Sequence, residues 1–589
     1  MSALEELDVE SRMELIHRQH REEEIRINAK IDAEIEKYID NPILGIQLKS
    51  PFISRPSNPS LFFIVPNEFA ERFCYYGFSP LLKNLFGQVL GLTTYYYGLD
   101  GKLTGEPNNS AVNQLKLNFD FATYLTPLIG AFVSDSFLDK YKTIMLFSSL
   151  YMVGMYLLSF GTNPHILGFQ AVFAPITTAT PLNDTVAQSG VQFAADPNVS
   201  HVNPSIIYSA LAFLALGTGG IKACVSAHGG DQFLEKQTWG LNTFYTIFYI
   251  AINVGAMISG FVTPNVKKQN CFGVEGDCYS NAFFICAGVF TFAYFIFGIG
   301  VRYYRVVPPA GRFIIWDLIC AGTTRLVKGE EYARKKYGKA LLVEAADLAK
   351  VLVAILPTPI FWMGFNQNSN IWQDSTDRLG TAVMLSETLN SVVNPIFIVL
   401  LAPIFNNYIY PHVPKKYGLL HRMCVGYLFA AASFVACALI ENYVEDRCTI
   451  NTSLTKNDYY FGKCAYPQID NMIWAIPYFL ITTGEVLVSI SGLNFMYEEV
   501  GKRTKSSSLA LWLLTSSIGS FIASCLLKAV NPVLKSESGN SYVYFYYLCA
   551  VIIMCAFVLQ CFLTWWYVPK AMRKEQEVVE EIEVSKEKP

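Results

Sequence analysis

The first features of this 589-residue chain that could do chemistry are ionisable residues set inside apolar stretches. One stretch reads Asn67-Glu68-Phe69-Ala70-Glu71-Arg72-Phe73-Cys74-Tyr75-Tyr76-Gly77. Glu68 and Arg72 are one helical turn apart and share a face, as do Glu71 with Tyr75 and Arg72 with Tyr76. A second stretch ends Gly217-Thr218-Gly219-Gly220-Ile221-Lys222, and a third is interrupted by Glu485. Charge in hydrocarbon is costly, so a functional role is the default reading of each. Internal ion pairs that tie helices together are the bland alternative, and Glu68–Arg72 taken alone fits it. The longer set does not, because buried pairs are weak stabilisers. Three acids, two bases and the polar groups Asn253, Trp362 and Asn394 at mid-stretch call for a water-filled cavity.

The elements that must hold these groups are membrane-spanning helices. A span needs about twenty apolar residues. Candidates lie near 61–86, 115–136, 143–161, 206–227, 241–263, 281–301, 348–371, 380–404, 421–441, 472–497, 508–530 and 542–568. At 1.5 Å rise per residue, Glu71 lies roughly 15 Å and Lys222 roughly 10 Å from the same membrane edge. Lys and Arg crowd one set of connections, notably 302–347, while the long 162–205 connection has none. The positive-inside rule then expects both termini in the cytoplasm, which requires an even number of spans. The pattern divides as a charged tail 1–60, six helices over 61–301, a basic amphipathic linker 302–347, six helices over 348–568 and a tail 569–589. Two halves with a site between them at mid-membrane is a layout of many secondary transporters. Ala251, Gly255 and Ser259 form a stripe of small residues suited to close helix packing.

Composition excludes several classes. The chain is 52% apolar and 16% charged, against roughly a quarter charged in soluble domains. Its net charge of −3 offers nothing to nucleic acid. No H-E-x-x-H, G-x-S-x-G or P-loop pattern occurs and the seven His are scattered, so an enzyme or a metal site is not expected. Opposed charges also suit a binding site better than the one-sign ring of a channel. Residues 1–40 are charged and lack the apolar core of a signal peptide. Ile27, Ile31 and Ile35 there mark a surface helix or a coiled-coil contact. Most of the 14 Cys fall in spans, as small buried apolar residues. Cys271 with Cys278, and Cys448 with Cys464, share connections expected on the oxidising side, where disulfides and free thiols are both open. Glycosylation sequons at Asn108, Asn183, Asn198 and Asn451 fall on that side too.

The residues quoted above resemble a known family. Glu68-x-x-Glu71-Arg72-Phe73-x-Tyr75-Tyr76-Gly77 is similar to the ExxERFxYYG motif of the proton-dependent oligopeptide transporters. The run from Gly217 to Lys222 with Gly229-Gly230-Asp231-Gln232-Phe233 resembles the fourth-helix motif, and Tyr245 to Met257 the fifth-helix pattern. The likeness extends over about 61–568, with a short ninth connection at 442–471. It implies a major facilitator fold, all-α and membrane-integral, importing di- and tripeptides with protons by alternating access and needing no cofactor beyond the proton gradient. It implies that Arg72 and Lys222 meet the peptide carboxylate and Glu485 its amino group. Glu68, Glu71, Arg72 and Lys222 would couple protons. Asn253 and Asn394 would bind peptide backbone, and Tyr75, Tyr76, Tyr124, Trp362 and Trp512 would line the pocket. The expected setting is the plasma membrane, as a monomer in the bilayer. Departures are Ala223 after the motif lysine, Asp139 for a turn glycine, Asn366 for a seventh-span acid and Leu117 for a second-span histidine. Asp120 with Lys116 is read as a local pair, with a proton relay as the alternative. Lys350 has no assigned role.

Peptides suit such a site physically. Two or three extended residues cover roughly 7–10 Å, so they bridge a fixed cation and anion that a free amino acid cannot. Coupling follows if ionised Glu68 and Glu71 hold Arg72 and Lys222 until protonation releases a base to the peptide carboxylate. A nitrate-like anion carrier and a peptide-plus-histidine carrier are the alternatives; a bare anion needs no amino-end acceptor such as Glu485.

Overall fold

The structure is a computed structural model. It describes residues 59–88, 93–97, 103–107, 109–163, 204–233, 238–270, 278–309, 311, 313–377, 379, 384–414, 418–446, 449–450, 464–465, 469–500, 505–534 and 541–567. The four sequon asparagines, Cys271 and Cys448 lie outside these residues, as do 1–58 and 568–589.

Helices dominate. In chain order they are α1 (Pro59–Gln88), α2 (Asn109–Leu125), α3 (Pro127–Ser136), α4 (Lys140–Gly161), α5 (Pro204–Gly230), α6 (Thr238–Lys267) and α7 (Tyr279–Ile299). After them come α8 (Ile314–Lys328), α9 (Glu330–Tyr337), α10 (Lys339–Ala354), α11 (Thr358–Phe365), α12 (Ile371–Asp377) and α13 (Ser386–Ile404). The last are α14 (Leu419–Asp446), α15 (Ala475–Glu485), α16 (Ser491–Glu498), α17 (Lys505–Leu534) and α18 (Ser541–Trp566). Two short antiparallel ribbons, Thr93–Tyr97 with Leu103–Pro107 and Thr449–Ile450 with Cys464–Ala465, are also described, with five short 3-10 or π segments at helix ends and junctions.

Nine helices among the described residues are long and apolar enough to cross a membrane. The other three expected spans are the charged α1, the pair α2–α3 and the pair α10–α11. The breaks have a cause. Pro127 starts α3, and Pro357 and Pro359 flank the start of α11. Proline removes a backbone donor and crowds the preceding turn, so each span is completed in two pieces. Large side chains such as Phe284, Phe292, Phe295 and Ile299 on α7 are exposed. In water such a face would be a liability, whereas lipid is its natural solvent. The basic segment forms three successive helices, α8 to α10, rather than one.

Two large apolar cores form among the described residues, beside a small cluster of Ala321, Ala333 and Leu342 on α8 to α10. One joins α1 to α7 around Phe78, Tyr151, Phe283 and Phe290, and the other joins the helices from α10 onward around Trp372, Phe434, Trp474 and Tyr546. Contacts between the two sets run chiefly along α2 with α17 and α6 with α13. The space between them contains the site.

Candidate functional site

On α1 the acids stand behind the base. Glu68 and Glu71 are fully buried, and the Arg72 Nε lies 2.7 Å from a Glu68 carboxylate oxygen and 3.2 Å from one of Glu71. Arg72 alone of the three faces the cavity. Neither Glu71 oxygen accepts a hydrogen bond among the described residues. Gly255 on α6 lets the two helices approach, since a Cβ there would lie 2.8 Å from the Phe69 carbonyl oxygen.

Lys222 reaches the same level from α5. Gly219 and Gly220 put the α5 backbone against Thr126 and Phe147, where a Cβ would collide. The ammonium does not meet Glu68 or Glu71 as expected. Among the described residues no carboxylate lies within ion-pair distance and no acceptor bonds it. Instead Nζ sits 4.4 Å from the ring centre of Tyr75 and 4.3 Å from that of Tyr124, which face it from α1 and α2. Both rings attract a desolvated cation through their negative faces. One turn before Tyr124, Asp120 takes the Lys116 ammonium at 2.6 and 2.7 Å. The local pair therefore forms, and both residues border the cavity.

The opposite wall carries the acid. A Glu485 oxygen accepts from the Asn394 amide at 2.8 Å, and the same amide nitrogen lies 2.9 Å from the Thr482 hydroxyl. Asn394 thus positions Glu485 with its donor rather than offering that donor to a ligand. The backbone widens into a π-turn at Val486–Ile490, immediately after Glu485. Such turns are frequent at functional sites. Trp362 on α11 and Trp512 on α17 meet edge-on at 6.3 Å, and Asn366 is bonded to Ser520 at 2.7 Å. The Asn253 amide donates to the Tyr249 carbonyl at 2.8 Å.

These walls enclose one cavity of about 2670 Å³. Of the twelve residues expected at the site, ten border it: Arg72, Tyr75, Tyr76, Tyr124, Lys222, Asn253, Trp362, Asn394, Glu485 and Trp512. Glu68 and Glu71 are behind Arg72. The lining continues to Asp139, Lys140, Arg305, Asn406 and Tyr497, so the cavity runs to the end that carries the α8–α10 linker. Asp139 also caps α4, accepting from the Lys142 backbone N–H at 2.8 Å, which accounts for an acid at that turn. Lys350 is exposed on α10 and takes no part.

The far end is closed by charges that the sequence reading did not single out. Lys83 on α1 pairs with Asp374 on α12 and donates to the Asn370 carbonyl at 2.6 Å. Asn113 on α2 donates to Asp374 at 2.7 Å. Lys267 at the end of α6 lies 2.7 Å from Glu387 on α13, which also accepts from Asn84 at 2.6 Å. All four charged groups are buried. Lys83 lies within the first candidate span, so the rule applied to Glu68 and Arg72 would have found it. Near this end Cys278 is disulfide-bonded.

A sequence profile of the POT family matches residues 141–321 and 317–544. Human solute carrier family 15 member 1 is 32% identical over 68% of this chain and 54% of its own length. Human solute carrier family 15 member 2 is 32% identical over 69% of this chain and 52% of its own. The chain thus spans about half the length of the curated relatives it matches. An auto-inhibited POT family peptide transporter superposes with a TM-score of 0.66 at 21% identity, covering 87% of this chain and 98% of that one. The POT family transporter PepTSo gives 0.64 at 20% identity, with 86% and 98% covered. These likenesses establish the fold, a major-facilitator-type helical membrane bundle, in which nine helices among the described residues are long and apolar enough to span.

Proposed function

Because the chain belongs to the POT family, we propose that it is a secondary transporter carrying di- and tripeptides together with protons. The observation that carries this reading is one cavity with Arg72 and Lys222 on one wall and Glu485 on the facing wall. A zwitterion with separated charges satisfies both walls, and a charge left unpaired in a dry site is penalised. Arg72 and Lys222 take the peptide carboxylate, Glu485 the amino group, and Asn253 with the Asn394 carbonyl the backbone. Trp362 and Trp512, with Tyr75, Tyr76 and Tyr124, supply walls tolerant of many side chains. Protons act on Glu68 and Glu71, whose hold on Arg72 competes with the peptide. No cofactor is needed, and the gradient drives accumulation.

The halves 61–301 and 348–568 rock about this site, joined by 302–347. Both termini and the open cavity mouth face the cytoplasm, the membrane is the plasma membrane, and the monomer is the working unit. The Lys83–Asp374 and Lys267–Glu387 pairs then close the outer side.

The test is dipeptide uptake into proteoliposomes with and without an inside-alkaline gradient, with nitrate and histidine as competitors. Gradient-dependent accumulation insensitive to nitrate is expected. Nitrate uptake with no dipeptide uptake would move the protein to the anion carriers, and strong competition by histidine to the peptide-plus-histidine carriers.

A further inference from the structure

We propose that Tyr75 and Tyr124 form an aromatic cage that keeps the Lys222 ammonium free of hydrogen bonds until a carboxylate draws it out. The inference rests on the peptide reading above and adds to it a resting place for one of the two cations.

Three observations meet at this point. The ammonium nitrogen is buried without a hydrogen-bond acceptor among the described residues. Two tyrosine rings from different helices approach it almost equally, at 4.4 and 4.3 Å. Each ring stands one turn beyond an acid, Tyr75 after Glu71 and Tyr124 after Asp120, and neither acid reaches the nitrogen. Glu68, Glu71, Asp120 and Arg72 all lie within its electrostatic range. Asp120 is occupied by Lys116, and Arg72 stands against Glu68 and Glu71.

The consequence is chemical. A lysine bonded to a carboxylate must give up that bond before it can serve a ligand. Ring faces attract the cation but accept no strong hydrogen bond, so the three N–H groups stay uncommitted. A charge-assisted bond to an arriving carboxylate is stronger than the hold of the rings. Lys222 can therefore leave its cage for the ligand without first displacing an acid. The cage makes Tyr124, which lies on neither helix of the Glu–Arg motif or the lysine, a positioning residue for carboxylate recognition.

The experiment uses the full chain in lipid nanodiscs and equilibrium binding of alanyl-alanine against alanyl-alanine amide. The reading is the ratio of the two affinities. Tyr124→Leu should collapse that ratio by at least tenfold, and Tyr124→Phe, which keeps the ring, should recover most of it. In a Lys222→Gln background Tyr124→Leu should change the ratio no further, because the ring acts through the lysine. An equal loss in Tyr124→Phe and Tyr124→Leu overturns the cage in favour of a hydroxyl contact. A full additional loss in the Lys222→Gln background overturns it in favour of direct contact with the ligand. Failure of the wild type to bind alanyl-alanine sinks the peptide reading instead. The cage is then judged on acetate affinity, which Tyr124→Leu should lower and Tyr124→Phe should keep; an equal loss in both, or a further loss from Tyr124→Leu in the Lys222→Gln background, overturns it.

Discussion

Glu68 and Glu71 are separated from the cavity by the side chain they hold. Under the proposed function, the ligand carboxylate and the proton therefore have different addresses, Arg72 for the first and the acids behind it for the second. Glu71→Gln should therefore abolish gradient-driven accumulation while leaving peptide exchange in place, as counterflow and net uptake in proteoliposomes will show. Undiminished accumulation would remove Glu71 from the coupling role. Glu485 on the other wall is held by the Asn394 amide and has no cation within ion-pair distance among the described residues, and a hydrogen bond to a charged group is worth about 1.5–3 kcal/mol. Glu485→Gln should weaken dipeptides with a free amino group by roughly 10–100-fold while hardly affecting N-acetylated ones; competition binding with the two ligand types measures this. At this scale Arg72, Lys222 and Glu485 were legible as cavity residues, because an ionisable group in an apolar run declares itself, although the same rule was not carried on to Lys83. The partners were not. Whether Lys222 meets an acid or two rings depends on how α1, α2 and α5 are rotated against each other, and no spacing within one helix encodes that.

The helices are placed by what they lack as much as by what they carry. Gly219 and Gly220 strip α5 of side chains where it crosses Thr126 and Phe147, and that approach brings Lys222 to the level of Arg72. Gly220→Leu would force α5 away from α4, at the cost of roughly 1–3 kcal/mol typical of overpacking. Expected results are a lower unfolding temperature in detergent and loss of uptake, even though no charged residue is altered. Unchanged binding of alanyl-alanine would mean that the α5 position tolerates displacement. Hydropathy located most spans to within a few residues because lipid demands length and apolarity. It read α2–α3 and α10–α11 as single spans, since a proline break leaves hydropathy intact while dividing the backbone. The ribbon strands went unnoticed because segments of two to five residues are too short to register as spans.

At the scale of the molecule, one end is open and the other is held by two buried ion pairs that join the halves. Removing one partner of such a pair costs about 3–5 kcal/mol, largely because the other charge stays buried. Lys83→Met should therefore favour opening at the sealed end, and Lys83→Met with Asp374→Leu should close it again. A cysteine at Ser79, tested with a membrane-impermeant thiol reagent from the side opposite the linker, distinguishes these states. Equal labelling in all three proteins would deny the pair a sealing role. Most of the spanning helices were legible from hydropathy, but the seal was not, because its members sit far apart in the chain.

The seal also makes the resting conformation a thermometer. Parting the halves there hydrates Lys83, Asp374, Lys267 and Glu387 together, and the hydration of charged groups becomes less favourable as temperature rises. Warming should thus hold that end shut more firmly and cooling should loosen it, contrary to the usual expectation that heat opens proteins.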